Sequence, residues 1–365
     1  MIRLAMIGGG WRAAFYVRVA RALPDRFQIA GVYLRNAQKR NAFAQQFNVP
    51  VCASLDELLT RKCDYIVVAT DWQSAYAYNL QLFSLGIPVL SETPPAPTEE
   101  ALDCLWKEYQ SRGARIQVAE QYYAQPYISG VLSVARSGLI GKPVDITLSM
   151  VHGYHAVNVI RRLLDVGFET CRISGKRYFQ PVKQTTGRKG FIENGKVEAA
   201  ARDVVQLEFE NGCLALYDFC GEQYFSQLRS RYLRLCGDAG EIFNQQVRYV
   251  NQDGDFAQSE FHRVELGREG NLEGYSLRGI QLDGRYVYRN PFAEPVLADQ
   301  IRLSDEELAV AQVMEAMGEY VRTGKEFYPF AQACQDSYLS LLMTQAAAEG
   351  SVVCSKRKAW VPLGL

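Results

Sequence analysis

Three short stretches of the chain carry the side chains and backbone most able to do chemistry. The first is Gly8-Gly9-Gly10-Trp11-Arg12-Ala13, set between an apolar run and an amphipathic one. Its spacing suits a strand-to-helix turn in which Gly8 turns the chain, Gly10 lets a phosphate approach the backbone, and Ala13 lets the helix pack on a sheet. The helix N–H groups and positive dipole end then face an anion. The segment thus reads as a cradle for a dinucleotide pyrophosphate, the alternative being a ligand-free strand–helix turn.

The second stretch holds His152 and His155. Taking a proton from a secondary alcohol needs a base, and imidazole has a suitable pKa. A helix N-terminus keeps the ring neutral, which is the form a base requires. A histidine that merely caps or packs at a helix start is the alternative for His155, and a polar loop residue is the alternative for His152. The His-x-x-His spacing also raises a metal site, but His262 is the one other histidine and no acid is aligned with the pair, so no metal is expected. The third stretch, Glu120-Gln121-Tyr122-Tyr123, follows an apolar strand-like run where an open α/β sheet presents its ligand-binding edge. Glu120 or Tyr122 could supply a proton-handling group there. For each alone, a polar loop entering the next domain is the simpler reading.

The elements that must position these residues are legible from periodicity. Ile2–Ile7 reads as a buried strand and Trp11–Leu23 as a helix stopped by Pro24. Gln28–Leu34, Tyr65–Thr70, Pro88–Ser91 and Arg115–Glu120 read as further strands, alternating with helices over Ala37–Phe47, Leu55–Thr60, Ser74–Leu85 and Glu99–Arg112. Ser54 with Glu57 forms a capping box, and Thr98 caps the last of these helices. Strand and helix in alternation, joined by short connections, predict a doubly wound parallel sheet over residues 1–124.

The rhythm then changes. Residues 125–365 predict an α+β domain with a mainly antiparallel sheet. Gln125–Ser137 and His155–Leu164 read as helices, and Val144–Met150 as a strand. Val204–Phe209 and Cys213–Phe219 flank Asn211-Gly212, a strong hairpin signal. Arg231–Cys236 and Glu241–Val250 look extended. Asn251–Gly274 reads as a polar, irregular excursion. Helices return over Asp305–Thr323, opened by a Ser304/Glu307 box, and over Gln332–Glu349.

Composition narrows the partners. Lys+Arg and Asp+Glu both total 40, so no basic excess favours nucleic acid or a membrane surface. Nine cysteines without a Cys-x-x-Cys suit a reducing cytoplasm better than a disulfide framework. Arg12, Arg18 and the glycines interrupt the N-terminal apolar run, which argues against a signal peptide. No run approaches the ~20 apolar residues of a membrane span.

A Rossmann second strand that binds the NAD ribose ends in an acid. Here Gly31-Val32-Tyr33-Leu34 is followed by Arg35-Asn36. Arg35, with Lys39 or Arg40, favours the 2′-phosphate of NADP. Stacking of Arg35 on the adenine is compatible with either NADP or NAD.

Several segments together resemble the glucose–fructose oxidoreductase / inositol dehydrogenase (Gfo/Idh/MocA) family over nearly the whole chain. Ile66–Thr70, a helix, and Gly86-Ile87-Pro88-Val89-Leu90-Ser91-Glu92-Thr93-Pro94 resemble its strand–helix–strand ending in Glu-Lys-Pro. Ser137–Gly141 resembles the opening of its second domain, Tyr154–Leu164 its catalytic-histidine helix, and Gly237-Asp238-Ala239-Gly240 a turn in its large open sheet. The resemblance implies an NAD(P)-dependent oxidoreductase acting on a sugar, cyclitol or glycoside, with His155 as base and assembly into a homodimer or homotetramer. It sets Thr70, Asp71, Trp72, Glu92, Thr93 and Gln121 beside the cofactor. It also marks departures: the family lysine falls on Thr93, and two family aspartates fall on Val151 and Asn158. Two alternatives therefore stay open. One is a glycoside-cleaving lyase or hydrolase that oxidises transiently with a tightly held cofactor; the other is a non-catalytic dinucleotide-binding protein.

Overall fold

The computed structural model describes residues 1–268, 271–293 and 302–362. The N-terminal alternation folds as β1 (Ile2–Ile7), α1 (Trp11–Ala22), β2 (Phe27–Tyr33), α2 (Ala37–Phe47), β3 (Val51–Cys52), α3 (Leu55–Leu59), β4 (Tyr65–Val68), α4 (Trp72–Ser84), β5 (Val89–Ser91), α5 (Glu99–Arg112) and β6 (Ile116–Val118). All six strands are parallel, in the order β3-β2-β1-β4-β5-β6. β4 shows why continuous apolar runs were readable as strands: all four of its residues are buried, as a sheet covered on both faces demands. Helix starts follow the capping signals. Ser54 and Thr98 accept N–H bonds from Glu57 and Ala101. Glu57 reaches back to Ala53 N–H instead of Ser54 N–H, so only half of the expected box closes.

The second half supplies α6 (Pro126–Arg136), β7 (Pro143–Ser149), α7 (Gly153–Leu164), β8 (Cys171–Lys183), a two-residue hairpin of β9 (Thr186–Gly187) and β10 (Gly190–Phe191), β11 (Val197–Phe209), β12 (Leu214–Cys220), β13 (Tyr232–Gly237), β14 (Gly240–Phe243), β15 (Gln246–Val250), β16 (Phe256–Glu260), β17 (His262–Arg268), β18 (Asn271–Leu282), β19 (Arg285–Arg289), α8 (Asp305–Thr323), α9 (Phe330–Glu349) and β20 (Val352–Cys354). Nine strands form one sheet in the order β16-β15-β14-β13-β7-β12-β11-β8-β20, antiparallel except where β7 meets β12.

Two expectations need correction here. Residues 251–274 were expected to be irregular, yet β16, β17 and the start of β18 occupy most of them. Polar alternation in an exposed strand resembles a loop when apolar content is the guide. The run 241–250 is not one strand but two, folded back at Asn244, which takes a left-handed φ of 52°. The Asn211-Gly212 hairpin forms as expected, its three-residue connection closed by Gly212 at φ 86° and a Phe209 N–H bond to Cys213 C=O. β8 carries no predicted counterpart, because its burial pattern lacks a clean alternation.

The family-like turn segments meet one another. Asp238 Oδ1 accepts the Lys142 N–H at 2.8 Å, and Ala239 N–H donates to Ile140 C=O at 3.0 Å. A Cβ on Gly237 would stand 2.0 Å from the Ile140 carbonyl oxygen, so only glycine fits there.

By density of contact the chain divides into two compact units. One comprises Met1–Pro126, Val264–Gly279 and Arg289–Ser337; the other comprises Tyr127–Arg263, Ile280–Tyr288 and Tyr338–Leu365. Helix α8 thus returns to the parallel sheet. It packs on α1, with Arg18–Glu307 at 2.7 Å and Arg26–Glu315 at 2.5 Å pairing the exposed rims. Its start is the one complete Ser/Glu box foreseen in the sequence: Ser304 Oγ accepts Glu307 N–H, and Glu307 accepts Ser304 N–H. Ser304→Ala should therefore lower the stability of this unit by about 1 kcal/mol, measured as a shift in urea midpoint at unchanged slope.

Candidate functional site

The C-terminal edge of the parallel sheet gathers most of the residues expected at a cofactor. The order reverses between β1 and β4, and such a switch point opens a crevice at the strand ends. Gly8–Gly10 follow β1, Arg35 follows β2, Thr70–Trp72 follow β4, Glu92 and Thr93 follow β5, and Gln121 follows β6.

The glycine turn has a physical reason at each position. Gly8 has φ 110°, and a Cβ there would meet the Ala69 carbonyl oxygen at 2.1 Å. A Cβ on Gly9 would strike Leu34 Cδ2 at 2.2 Å. Gly10, the N-cap of α1, faces nothing within 4 Å, has no side-chain cap and is followed by no acid in the first turn. Ala13 is fully buried under the helix. The backbone is therefore tight where the fold needs it and open where an anion would sit.

Arg12 does not point at that opening. Its Nε lies 2.9 Å from Glu92 Oε1 and its Nη1 lies 2.8 Å from Glu306 Oε1. Tyr16 Oη donates to the same Glu92 oxygen at 2.5 Å. Burial opposes the guanidinium charge, but Glu92, with Tyr16 and Glu306, outweighs it and raises the arginine pKa. Burial and Glu92 likewise raise the Tyr16 pKa well above its ordinary value. Trp11 is exposed, edge-on to Phe15 at 5.8 Å.

Arg35 is exposed just past β2, whereas Arg40 turns inward to donate to the Leu34 carbonyl at 3.1 Å. Asp71 caps α4 by accepting Ser74 N–H at 3.0 Å. That bond, with a smaller contribution from nearby Arg35, lowers its pKa. An acid thus neighbours Arg35, but it comes from the end of β4 and not of β2. Thr93 precedes Pro94 through a cis peptide and is half-buried. Glu120 is fully buried, with Oε1 accepting the Tyr122 N–H at 2.8 Å. Gln121 is buried beside it. Its Nε2 donates to Glu306 at 3.4 Å, while its Oε1 has no hydrogen-bond partner.

The histidines lie in the other unit, at the start of α7. His152 is the N-cap and His155 falls in the first turn, two residues inside an element that begins at Gly153. No side chain of its own sequence caps this helix. Tyrosine hydroxyls do so: Tyr224 Oη accepts the His152 N–H at 2.9 Å and Tyr217 Oη accepts the Gly153 N–H at 3.2 Å. The imidazoles stand edge-to-face with centroids 4.9 Å apart. His155 is buried and His152 is exposed. Protein packed around the His152 ring, then His155 and Arg188, disfavour its charged form, so it titrates below the usual histidine range although an edge stays open.

β12 contributes Tyr217 and Phe219 to one face of the large sheet, where the pair Arg177–Asp203 is bidentate at 2.6 and 2.8 Å. Phe219 packs against Tyr224 at 5.0 Å, and Tyr224 against Phe225 at 6.3 Å. Aromatic faces beside polar groups are able to hold a polyhydroxylated ligand.

Comparison with known proteins agrees with the sheet order and the turn. Residues 2–120 match the model described as "Oxidoreductase family, NAD-binding Rossmann fold", GFO_IDH_MocA. The match spans the parallel-sheet region and ends just after its last strand. No curated protein sequence matches the chain. Among solved structures, the chain is similar to an oxidoreductase from Agrobacterium radiobacter in complex with NAD+, L-tartaric acid and magnesium, at 16% identity and TM-score 0.68, covering 96% of this chain and 98% of that one. It is similar to levoglucosan dehydrogenase in complex with NADH, at 13% identity and TM-score 0.68, over 98% and 100% of the two chains. Biliverdin reductase from Synechocystis, in complex with biliverdin and NADP+, matches at 17% identity and TM-score 0.62, over 95% and 99%. At these identities the likeness is one of fold.

Sequence reasoning missed Tyr16, Glu306 and Tyr224. Tyr16 alone carried a local signal, one helical turn after Arg12. The other two reach their partners only through the tertiary fold. The two functional glycines should separate on substitution. Gly10→Val should fold with unchanged thermal midpoint yet lose at least tenfold in dinucleotide affinity by calorimetry, about 1.4 kcal/mol. Gly8→Ala should instead cost roughly 1–3 kcal/mol of stability from its backbone conformation alone.

Proposed function

We propose that the protein is an NAD(P)-dependent dehydrogenase of a sugar-like or cyclitol-like secondary alcohol, with His155 as the general base. The observation that carries this reading is the placement of His155 in the first turn of α7, beside His152, on a helix whose first N–H groups are held by Tyr224 and Tyr217. A neutral imidazole at that position takes the hydroxyl proton as the alcohol carbon becomes a carbonyl. NAD(P)+, when bound, would supply the hydride acceptor, and His155 would hold the proton. The open backbone at Gly10, the Gln121 oxygen without a partner and the Gly8 turn fit such a cofactor. Exposed Arg35 favours the 2′-phosphate of NADP. Thr93 lacks an ionisation near neutrality and only orients by hydrogen bonding.

Thr93 also supports a second reading, in which transient oxidation of a glycoside acidifies the neighbouring C–H and elimination breaks the glycosidic bond. Screening sugars and glycosides with NAD and NADP separates the two. Net appearance of reduced cofactor supports the dehydrogenase, cleavage without net reduction supports the second reading, and tight cofactor binding with neither overturns both. On a confirmed substrate, His155→Ala should lower the rate by about 10²–10⁴-fold with dinucleotide affinity unchanged. Full retained activity would remove His155 from the mechanism.

We further propose self-association through the outer face of the large sheet. Val204, Leu216 and Phe243 are exposed there, interleaved with the cross-strand pairs Arg202–Asp218 and Arg234–Glu241. Alternating charge of both signs is self-complementary, as a two-fold interface requires. Sedimentation at micromolar concentration should give a dimer or tetramer, and a monomer would refute the proposal.

A further inference from the structure

The loop that leaves β5 is poorly equipped to hold itself. It runs Ser91-Glu92-Thr93-Pro94-Pro95-Ala96-Pro97 before α5 begins at Glu99. The prolines at 94, 95 and 97 carry no N–H, so the loop has few donors for its own carbonyls. Pro95 and Ala96 are nonetheless buried, where a carbonyl needs a partner. For Pro95 that partner comes from α4. Asn79, fully buried in that helix, donates from Nδ2 to the Pro95 C=O at 3.2 Å and to Ser91 Oγ at 3.0 Å. Ser91 Oγ passes its own hydrogen to the Glu92 C=O at 3.2 Å. One amide nitrogen thus grips the loop on both sides of Glu92-Thr93-Pro94, while the Glu92 carboxylate is held by Arg12 and Tyr16.

The partners fix which way the amide points. A backbone carbonyl only accepts, so Nδ2 and not Oδ1 must face Pro95. Oδ1 is left buried without a partner. What asparagine supplies here is therefore its donor side: two hydrogens on one nitrogen, both spent on the loop. In a doubly wound sheet with the pyrophosphate at the start of α1, the adenosine half of a dinucleotide extends over the end of β2. The nicotinamide half extends the other way, over the ends of β4 and β5, where Glu92 and Thr93 lie. We propose that Asn79 is a positioning residue that holds the Glu92–Pro94 corner in the shape that receives the nicotinamide half. Fully buried, it acts through the loop and not on the cofactor. The proposal rests on the reading of this edge as a dinucleotide site.

Calorimetry on the full-length protein tests this with two ligands: the tighter of NAD+ and NADP+, and the matching half-ligand, ADP or 2′,5′-ADP. The half-ligand reports the adenosine side, which Asn79 does not support. Asn79→Ala should weaken dinucleotide binding on the order of tenfold and leave half-ligand binding unchanged. Equal dinucleotide affinity in the two proteins would overturn the proposal. So would an equal loss on both ligands, which is what a general loosening of the fold gives. Coupling between sites is reciprocal, so a bound nicotinamide half must in turn tighten the grip of Asn79. In the wild type, the Asn79 side-chain amide hydrogens, followed by NMR of nitrogen-labelled protein, should exchange with solvent more slowly in the dinucleotide complex than in the half-ligand complex. Equal exchange in the two complexes would overturn the proposal even where Asn79→Ala fails to fold. Wild-type protein that binds neither ligand removes the reading of the edge, and this proposal with it. Wild-type binding that Asn79→Ala leaves unaltered removes this proposal alone.

Discussion

The buried contact between Arg12 and Glu92 is the constraint on which the dinucleotide edge depends. It ties the turn after β1 to the end of β5 and, through Glu306, to the first turn of α8. Desolvating a guanidinium and a carboxylate costs several kcal/mol per ion, offset only when geometry is good and the remaining hydrogen bonds are made. Tyr16 supplies one of those bonds to Glu92, and Phe15 and Trp11 cover the guanidinium at 5.3 and 5.8 Å. The consequence is functional. Arg12 is spent inside the fold, so the anion-binding character of the turn falls to backbone N–H groups and the helix dipole. Phosphate recognition by backbone depends on the shape of the turn, and that shape is what Gly8 and the ion pair hold.

The histidine helix solves a similar problem by a different route. Helices usually satisfy their first N–H groups with Ser, Thr, Asp or Asn at the N-cap. α7 has histidine there and borrows hydroxyls from Tyr217 on β12 and Tyr224 beyond it. Borrowed caps couple the orientation of the helix to the sheet. The position of His155 then follows from how β12 and its following turn are packed, and not from local sequence alone.

Much of this was legible in the sequence, for identifiable reasons. The parallel sheet announced itself because buried strands such as Tyr65–Val68 are continuously apolar and helix starts such as Thr98 and Ser304 carry local caps. The glycine turn was readable because steric exclusion at Gly8 is a property of one residue type. Residues 256–268 were missed because Gln258-Ser259-Glu260 are polar on both faces and the short alternation of Val264 and Leu266 is flanked by charges and glycine. Glu306 and Tyr224 were missed because each acts on a partner far away along the chain, 294 residues from Arg12 and 72 from His152. Long-range polar pairing leaves no period in the sequence.

The same distinction separates what stabilises this protein from what it keeps for a ligand. Most buried polar groups described here have partners: Gln223, for example, uses both ends of its amide. Gln121 Oε1, at the end of β6, does not. Leaving a buried acceptor unpaired costs roughly 1–3 kcal/mol. Among the described residues Asn79 Oδ1, Glu222 Oε2 and Ser276 Oγ also lack a partner, so what marks Gln121 is its place after a strand at the sheet edge where the order reverses. A ligand bearing a hydrogen-bond donor at this edge recovers that cost, and Gly10, with no atom within 4 Å of its absent Cβ, leaves the backbone approachable on the same edge. At Gln121 and Gly10 an unpaired acceptor and an open backbone thus fall together on the edge that the topology independently marks for binding. That coincidence, more than any single residue, is the physical ground for reading the edge as a dinucleotide site.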